Sequence, residues 1–172
     1  MRAQGAERIR TDWRVRSVVN PGCAFWHLRA PDEVTSVRAY DSVVIGSAVY
    51  VGQWREPARD LIERLGSELA ERPLWLFSSG PVGDPSRTVV QKMGADPVDL
   101  PAMMRATRAR EHRMFAGRLE RHHLSRRERV ALAIFKNFEG DFRPWGEIEN
   151  WADKIYAETA AATADTRALA LA

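Results

Sequence analysis

Ser42-Val43-Val44-Ile45-Gly46-Ser47-Ala48 is short, β-branched and apolar at successive positions, the pattern of a strand covered on both faces in a parallel sheet. Downstream, Pro57 suits a first helical turn, and Ala58, Leu61, Ile62, Leu65 and Leu69 recur at the spacing of one helical face. That face must lie on a sheet. Arg72-Pro73 ends the helix, and Leu74-Trp75-Leu76-Phe77-Ser78-Ser79 repeats the buried-strand pattern. Strand, amphipathic helix and strand compose a right-handed βαβ unit, so the class is α/β.

The flanking pattern is less regular. Trp13 to Val19 alternates like a strand, and Asn20-Pro21-Gly22 reads as a turn. Gly80 to Asp99 is rich in Gly, Pro and Asp and is expected to be mostly loop, with a short helix over Pro101 to Arg108. Glu111 to Leu119 predicts a more polar strand near an edge. Ser125-Arg126-Arg127-Glu128 is a capping box that starts a helix carrying Val130, Ile134 and Phe138. Gly140 to Arg143 reads as a turn, after which Pro144 opens a last helix with Trp145, Ile148, Trp151 and Ile155 on one face. The Ala-rich tail from Thr159 is expected to be frayed or loosely helical. Without internal repeats or a long linker, residues 1–158 read as one domain and 159–172 as that tail.

Composition narrows the class. With 172 residues, 45% hydrophobic and 28% charged, the chain can bury a core and is neither disordered nor fibrous. Its longest nearly uninterrupted apolar run, Val43 to Val51, is far shorter than the roughly 20 residues of a membrane helix, and MRAQGAERIR has no apolar stretch for a signal peptide. A cytoplasmic location is expected. The single Cys23 excludes an internal disulfide and a multi-cysteine zinc site, and in its apolar setting it reads as buried and inert. Arg105 to Arg129 holds nine Arg against Glu111, Glu120 and Glu128, yet no nucleic-acid motif frames them. That window reads as a solvated face or as the basis of peripheral attraction to an anionic membrane, and no nucleic-acid partner is expected.

In an open parallel sheet, ligands bind beyond the carboxyl ends of the strands. Two loops qualify: Ala48-Val49-Tyr50-Val51-Gly52-Gln53-Trp54, with two aromatics and a permissive glycine, and Ser78-Ser79-Gly80-Pro81-Val82-Gly83-Asp84, whose small residues leave amides open. Tyr50 and Trp54 read either as packing residues or as a platform for a flat ring. His112, His122 and His123, with Glu111 and Glu120, match no zinc spacing and read as solvated surface, so no metal is expected. Ser78 and Ser79 lack a G-x-S-x-G context and an assigned base. No catalytic side chain is assigned.

Four segments in order, YDSVVIGSAVYVGQW, LWLFSSGPVGDP, EHRMFAGRL and EGDFRPWGEIENWADKI, resemble the flavodoxin-domain proteins related to menaquinone-dependent protoporphyrinogen IX dehydrogenase. The resemblance spans roughly residues 31 to 158. It implies a flavodoxin-like five-stranded parallel sheet, ordered 2-1-3-4-5 with helices on both faces, that binds FMN. Ser47, Ala48, Val49, Tyr50, Gly52 and Trp54 would then flank one side of the isoalloxazine ring. Ser78, Ser79, Gly80, Pro81, Gly83 and Asp84 would flank the other.

One family feature has no counterpart. A hydroxyl- and glycine-rich loop should cradle the FMN phosphate at the first helix, whereas residues 1–40 offer only Thr11, Ser17, Thr35 and Ser36. GAERIR resembles the family's first helix, which places the expected first strand and phosphate loop upstream of Met1 or leaves them replaced. FMN binding is therefore expected to be weak or absent relative to a full-length relative. The leading expectation is an FMN-dependent oxidoreductase or electron-transfer flavoprotein, with a quinone or porphyrinogen as partner. The alternative is a degenerate flavodoxin-like domain without flavin that acts through protein contacts, or a truncated gene product. Oligomeric state is left open.

Overall fold

The computed structural model describes residues 27–80, 96–119 and 140–170. Strand β1 (Val43–Tyr50) lies parallel to β3 (Leu74–Ser79), with pairs from Val43↔Leu74 to Ala48↔Ser79. β3 in turn lies parallel to β4 (Glu111–Phe115), from Trp75↔Glu111 to Ser79↔Phe115. A short strand β2 (Gln53–Trp54) turns back antiparallel on β1, so the order across the described sheet is β2-β1-β3-β4. This mostly parallel sheet with helices on both sides is the expected α/β architecture.

Helix α1 (Glu56–Ala70) runs back from the carboxyl edge and covers one face of the sheet. Its buried side chains are Ala58, Leu61, Ile62, Leu65 and Leu69, which meet Ile45, Leu74 and Leu76 together with Leu100 and Met103 of α2 (Leu100–Thr107). On the opposite face, Trp75, Phe77 and Phe115 pack on Trp151 and Ile155 of α3 (Trp145–Ala170). Two-sided cover explains why β3 is apolar at successive positions instead of alternating. At the amino edge, Glu68 accepts hydrogen bonds from Ser36 Oγ at 2.7 Å and Val37 N at 3.0 Å, which seats Val37 in the core.

Several expectations need correction. The segment after Ala48 is not an open loop, because β1 continues to Tyr50 and pairs Val49↔Trp54 and Tyr50↔Gln53 in a tight hairpin. Its two turn residues, Val51 and Gly52, have φ of 52° and 75°, the left-handed geometry that matches the twist of a two-residue hairpin. The predicted strand over Glu111 to Leu119 stops at Phe115. Arg118–Leu119 forms β5, paired antiparallel with β6 (Gly140–Asp141), so the expected turn at Gly140 begins as a strand. Trp145 leaves the buried face of α3 at 39% exposure, and the Arg143 guanidinium lies 4.6 Å from its ring centre. The tail is helical through Ala170. The expected strand over Trp13 to Val19, Cys23 and the helix from Ser125 lie outside the described residues.

Glu111 fastens α3 to the sheet edge. Its carboxylate accepts from Lys154 Nζ at 2.8 Å, Arg113 Nε at 2.7 Å and Trp151 Nε1 at 3.2 Å. Lys154 foremost, then Arg113 and Trp151, hold its pKa down to about 2 against an ordinary 4.5, despite some burial. A carboxyl depressed on folding stabilises above its unfolded pKa and loses that contribution as pH falls through the folded one. The stability gap between the wild-type chain and Glu111→Gln is therefore expected to be full above about pH 4.5 and to close towards pH 2. Urea unfolding at stepped pH checks this, and a gap indifferent to pH would contradict it.

Candidate functional site

The register of β1 and β3 sets the site. Ser47 pairs with Ser78 and Ala48 with Ser79, so the hairpin and the chain leaving β3 emerge together at the carboxyl edge. Ser47 is buried, and its hydroxyl donates to Ala48 O at 3.0 Å and accepts Arg55 N at 2.9 Å. It thereby fixes where α1 begins. Ala48 and Val49 are partly buried, and Val49 packs on the α1-side core.

The two aromatics divide. Tyr50 is 59% exposed with the Arg55 guanidinium 5.9 Å from its ring centre, whereas Trp54 is 2% exposed. Trp54 Nε1 donates to Ser78 Oγ at 2.8 Å and so ties the hairpin to β3 from behind. Val98 N donates to Gly52 O at 3.0 Å, which brings the chain before α2 to the hairpin tip. Gly80 has φ of 136°, and its N–H donates to Phe115 O at 2.9 Å. Of the predicted site residues, Pro81, Gly83 and Asp84 lie outside the described residues.

One residue was missed. His112 reads as solvated surface in the sequence, yet its side chain is only 9% exposed and its Nε2 lies 2.8 Å from Ser78 Oγ. Its Nδ1 faces Asp96 Oδ1 at 3.6 Å. Burial pushes the imidazole pKa down, and the Asp96 charge opposes that incompletely. The signal was the period of β4: Glu111, Arg113 and Phe115 share the α3 side, which turns His112 to the α1 side beside Leu76.

At this edge Tyr50 offers an exposed aromatic face, and among the described residues no atom beyond the chain neighbours lies within 4 Å of where a Cβ would stand on Gly52 or Gly80. Amides and hydroxyls are less available, since those of Gly80, Ser47 and Ser78 have internal partners. A phosphate loop does not occur among the described residues. The depression at the start of α1, about 380 Å³, is lined by Asp32, Glu56 and Asp60 beside Arg64 and would repel a phosphate. No metal-binding cluster of His, Cys, Asp and Glu is present among the described residues.

Compared with protein families, residues 14–143 match the flavodoxin domain. The chain belongs to that family. Flavodoxin domains generally bind FMN, which points to a flavin-binding, electron-transfer role. Neither a curated protein nor a solved structure matches this flavodoxin domain.

Proposed function

We propose that this flavodoxin domain holds the ring of FMN between the hairpin tip at Tyr50 to Gly52 and the chain leaving β3 at Ser79 and Gly80, and serves electron transfer. The observation that carries this reading is the parallel register that brings an exposed Tyr50 and an open Gly80 to one edge. In it, Tyr50 offers its face to the ring, while Ser47 and Trp54 hold the hairpin from within. Pro81, Gly83 and Asp84, next in the sequence, are proposed as further cofactor contacts. When bound, FMN supplies the electron chemistry, and the protein supplies position and polarity. The resemblance in four ordered segments supports a quinone or a porphyrinogen as the redox partner. A cytoplasmic setting with at most peripheral membrane contact belongs to the same reading, and among the described residues no helix is long and apolar enough to cross a membrane.

A second reading has its own observation. The Gly80 amide is engaged by Phe115 O, and Tyr50, Val51 and Val98 are exposed around the same tip, as suits a flavin-free domain acting through protein contacts. Flavin fluorescence separates the two. Titrating FMN with the chain is expected to give saturable quenching, and Tyr50→Ala to weaken binding about tenfold, since ring stacking contributes about 1–3 kcal/mol. Absence of saturable quenching would favour the second reading.

A further inference from the structure

β1 has the sequence of an interior strand and the position of an outer one. Both β1 and β3 are apolar at successive positions, yet β3, paired on both sides, buries Leu74, Trp75, Leu76 and Ser78 completely. Val43, Val44, Gly46 and Ala48 of β1 are only partly buried. The backbone shows which groups are left over. Val43 N donates to Pro73 O at 2.9 Å, so residues 43, 45 and 47 turn their N–H and C=O towards β3, and Val44, Gly46 and Ala48 turn theirs away. On that far side β2 takes only Val49 and Tyr50. Among the described residues the N–H groups of Val44, Gly46 and Ala48 have no partner, while Ala48 O accepts from Ser47 Oγ.

Natural sheets protect an outer strand with charge, proline or a bulge. β1 has neither charge nor proline, and its register with β3 runs without a bulge. α3 also reaches past it. The helix crosses the sheet from Glu111 on β4, met by Lys154, to the start of β1, where Thr159 donates to Ser42 Oγ at 3.2 Å, and it continues to Ala170. At 1.5 Å per residue the turns after Thr159 span about 16 Å, whereas one further strand needs roughly 5 Å.

We propose that residues 13–19 of the same chain add as a strand along the outer edge of β1, pairing with Val44, Gly46 and Ala48 and making β1 an interior strand. These residues, WRVRSVV, alternate as a strand does, with Trp13, Val15 and Val19 on one face and Arg14 and Arg16 on the other. Their length suits the edge, seven residues against six from Val43 to Ala48. Arg14 and Arg16 supply the charge that an outer strand carries and β1 lacks, so the addition moves the edge from an unprotected strand to a protected one. The segment is also tethered. Eight residues separate Val19 from His27, a reach of about 26 Å, and the His27 ring lies 5.7 Å from that of Tyr40, three positions before Val43. That tether gives it a high local concentration at β1, ahead of a second copy of the chain.

The test is NMR on the full chain without flavin, so failure here leaves the flavin reading standing. Backbone cross-strand contacts are expected between residues 13–19 and Val44, Gly46 or Ala48. In a sample mixing labelled with unlabelled chain, filtering for contacts between molecules is expected to remove them. The Gly46 amide is expected to exchange slowly, and the double variant Val15→Pro/Arg16→Pro to speed it at least tenfold, because proline withdraws ladder donors. Ile45, whose N–H faces β3, is the control and should keep its protection in that variant. Rapid exchange at Gly46 in the wild-type chain, contacts that survive the filter and so belong to a second copy, or unchanged Gly46 protection in the folded variant would each overturn the proposal. Should the variant fail to fold, the wild-type contacts decide.

Discussion

Gly46→Ala is expected to cost the domain about 3 kcal/mol, at or beyond the upper end for overpacking a well-filled core. Gly46 is the register partner of Phe77, and a Cβ at Gly46 would fall on the Phe77 ring, far inside van der Waals contact. Phe77 cannot simply step aside, because it is packed against Phe115 at 6.3 Å and Trp151 at 6.1 Å between ring centres. The missing side chain of β1 is thus filled by its neighbour on β3. Pairing Gly46→Ala with Phe77→Leu should recover part of the loss, since the two sites share one volume. Urea unfolding of the single and double variants measures both, and a Gly46→Ala midpoint equal to wild type would refute the interlock.

Trp54→Ala is expected to cost about 3–5 kcal/mol, the usual range for truncating a buried aromatic. Trp54 is 2% exposed, joins the core made by α1, and makes the hydrogen bond to Ser78. Trp54→Phe retains much of the apolar area and loses the N–H, so about 1 kcal/mol of hydrogen bonding separates it from a pure packing change. Unfolding midpoints with unchanged m-values would show that the cost lies in the folded state. If Trp54→Ala were nearly neutral, the hairpin would not be anchored as described.

The parts of the fold that were legible are those with long-range period. All five buried positions of α1 are the five predicted from spacing, because a helix on a sheet shows one apolar stripe and nothing else. β1 and β3 were legible because two-sided cover leaves no polar alternation. The hairpin was hidden by Val51: turns of this type favour Asn, Asp or Gly, and a β-branched residue with φ of 52° gives no signal that the chain reverses there. Trp145 misled because aromatic residues at helical spacing predict burial, whereas a guanidinium from the preceding turn covers this one. His112 was the costliest omission. Its partners Ser78 and Asp96 lie 34 and 16 positions away in the chain, and only the pairing of β4 with β3 brings the imidazole to the serine.

The claim that the hairpin tip and the end of β3 form one flavin-facing edge is tested most directly by mapping backbone amide shifts of the labelled chain as FMN is added. The account expects the largest changes at Tyr50, Val51, Gly52, Ser79 and Gly80, with α3 and the Asp32–Asp60 depression unaffected. Saturable changes centred elsewhere, or shifts confined to the hairpin without Ser79 and Gly80, would contradict it.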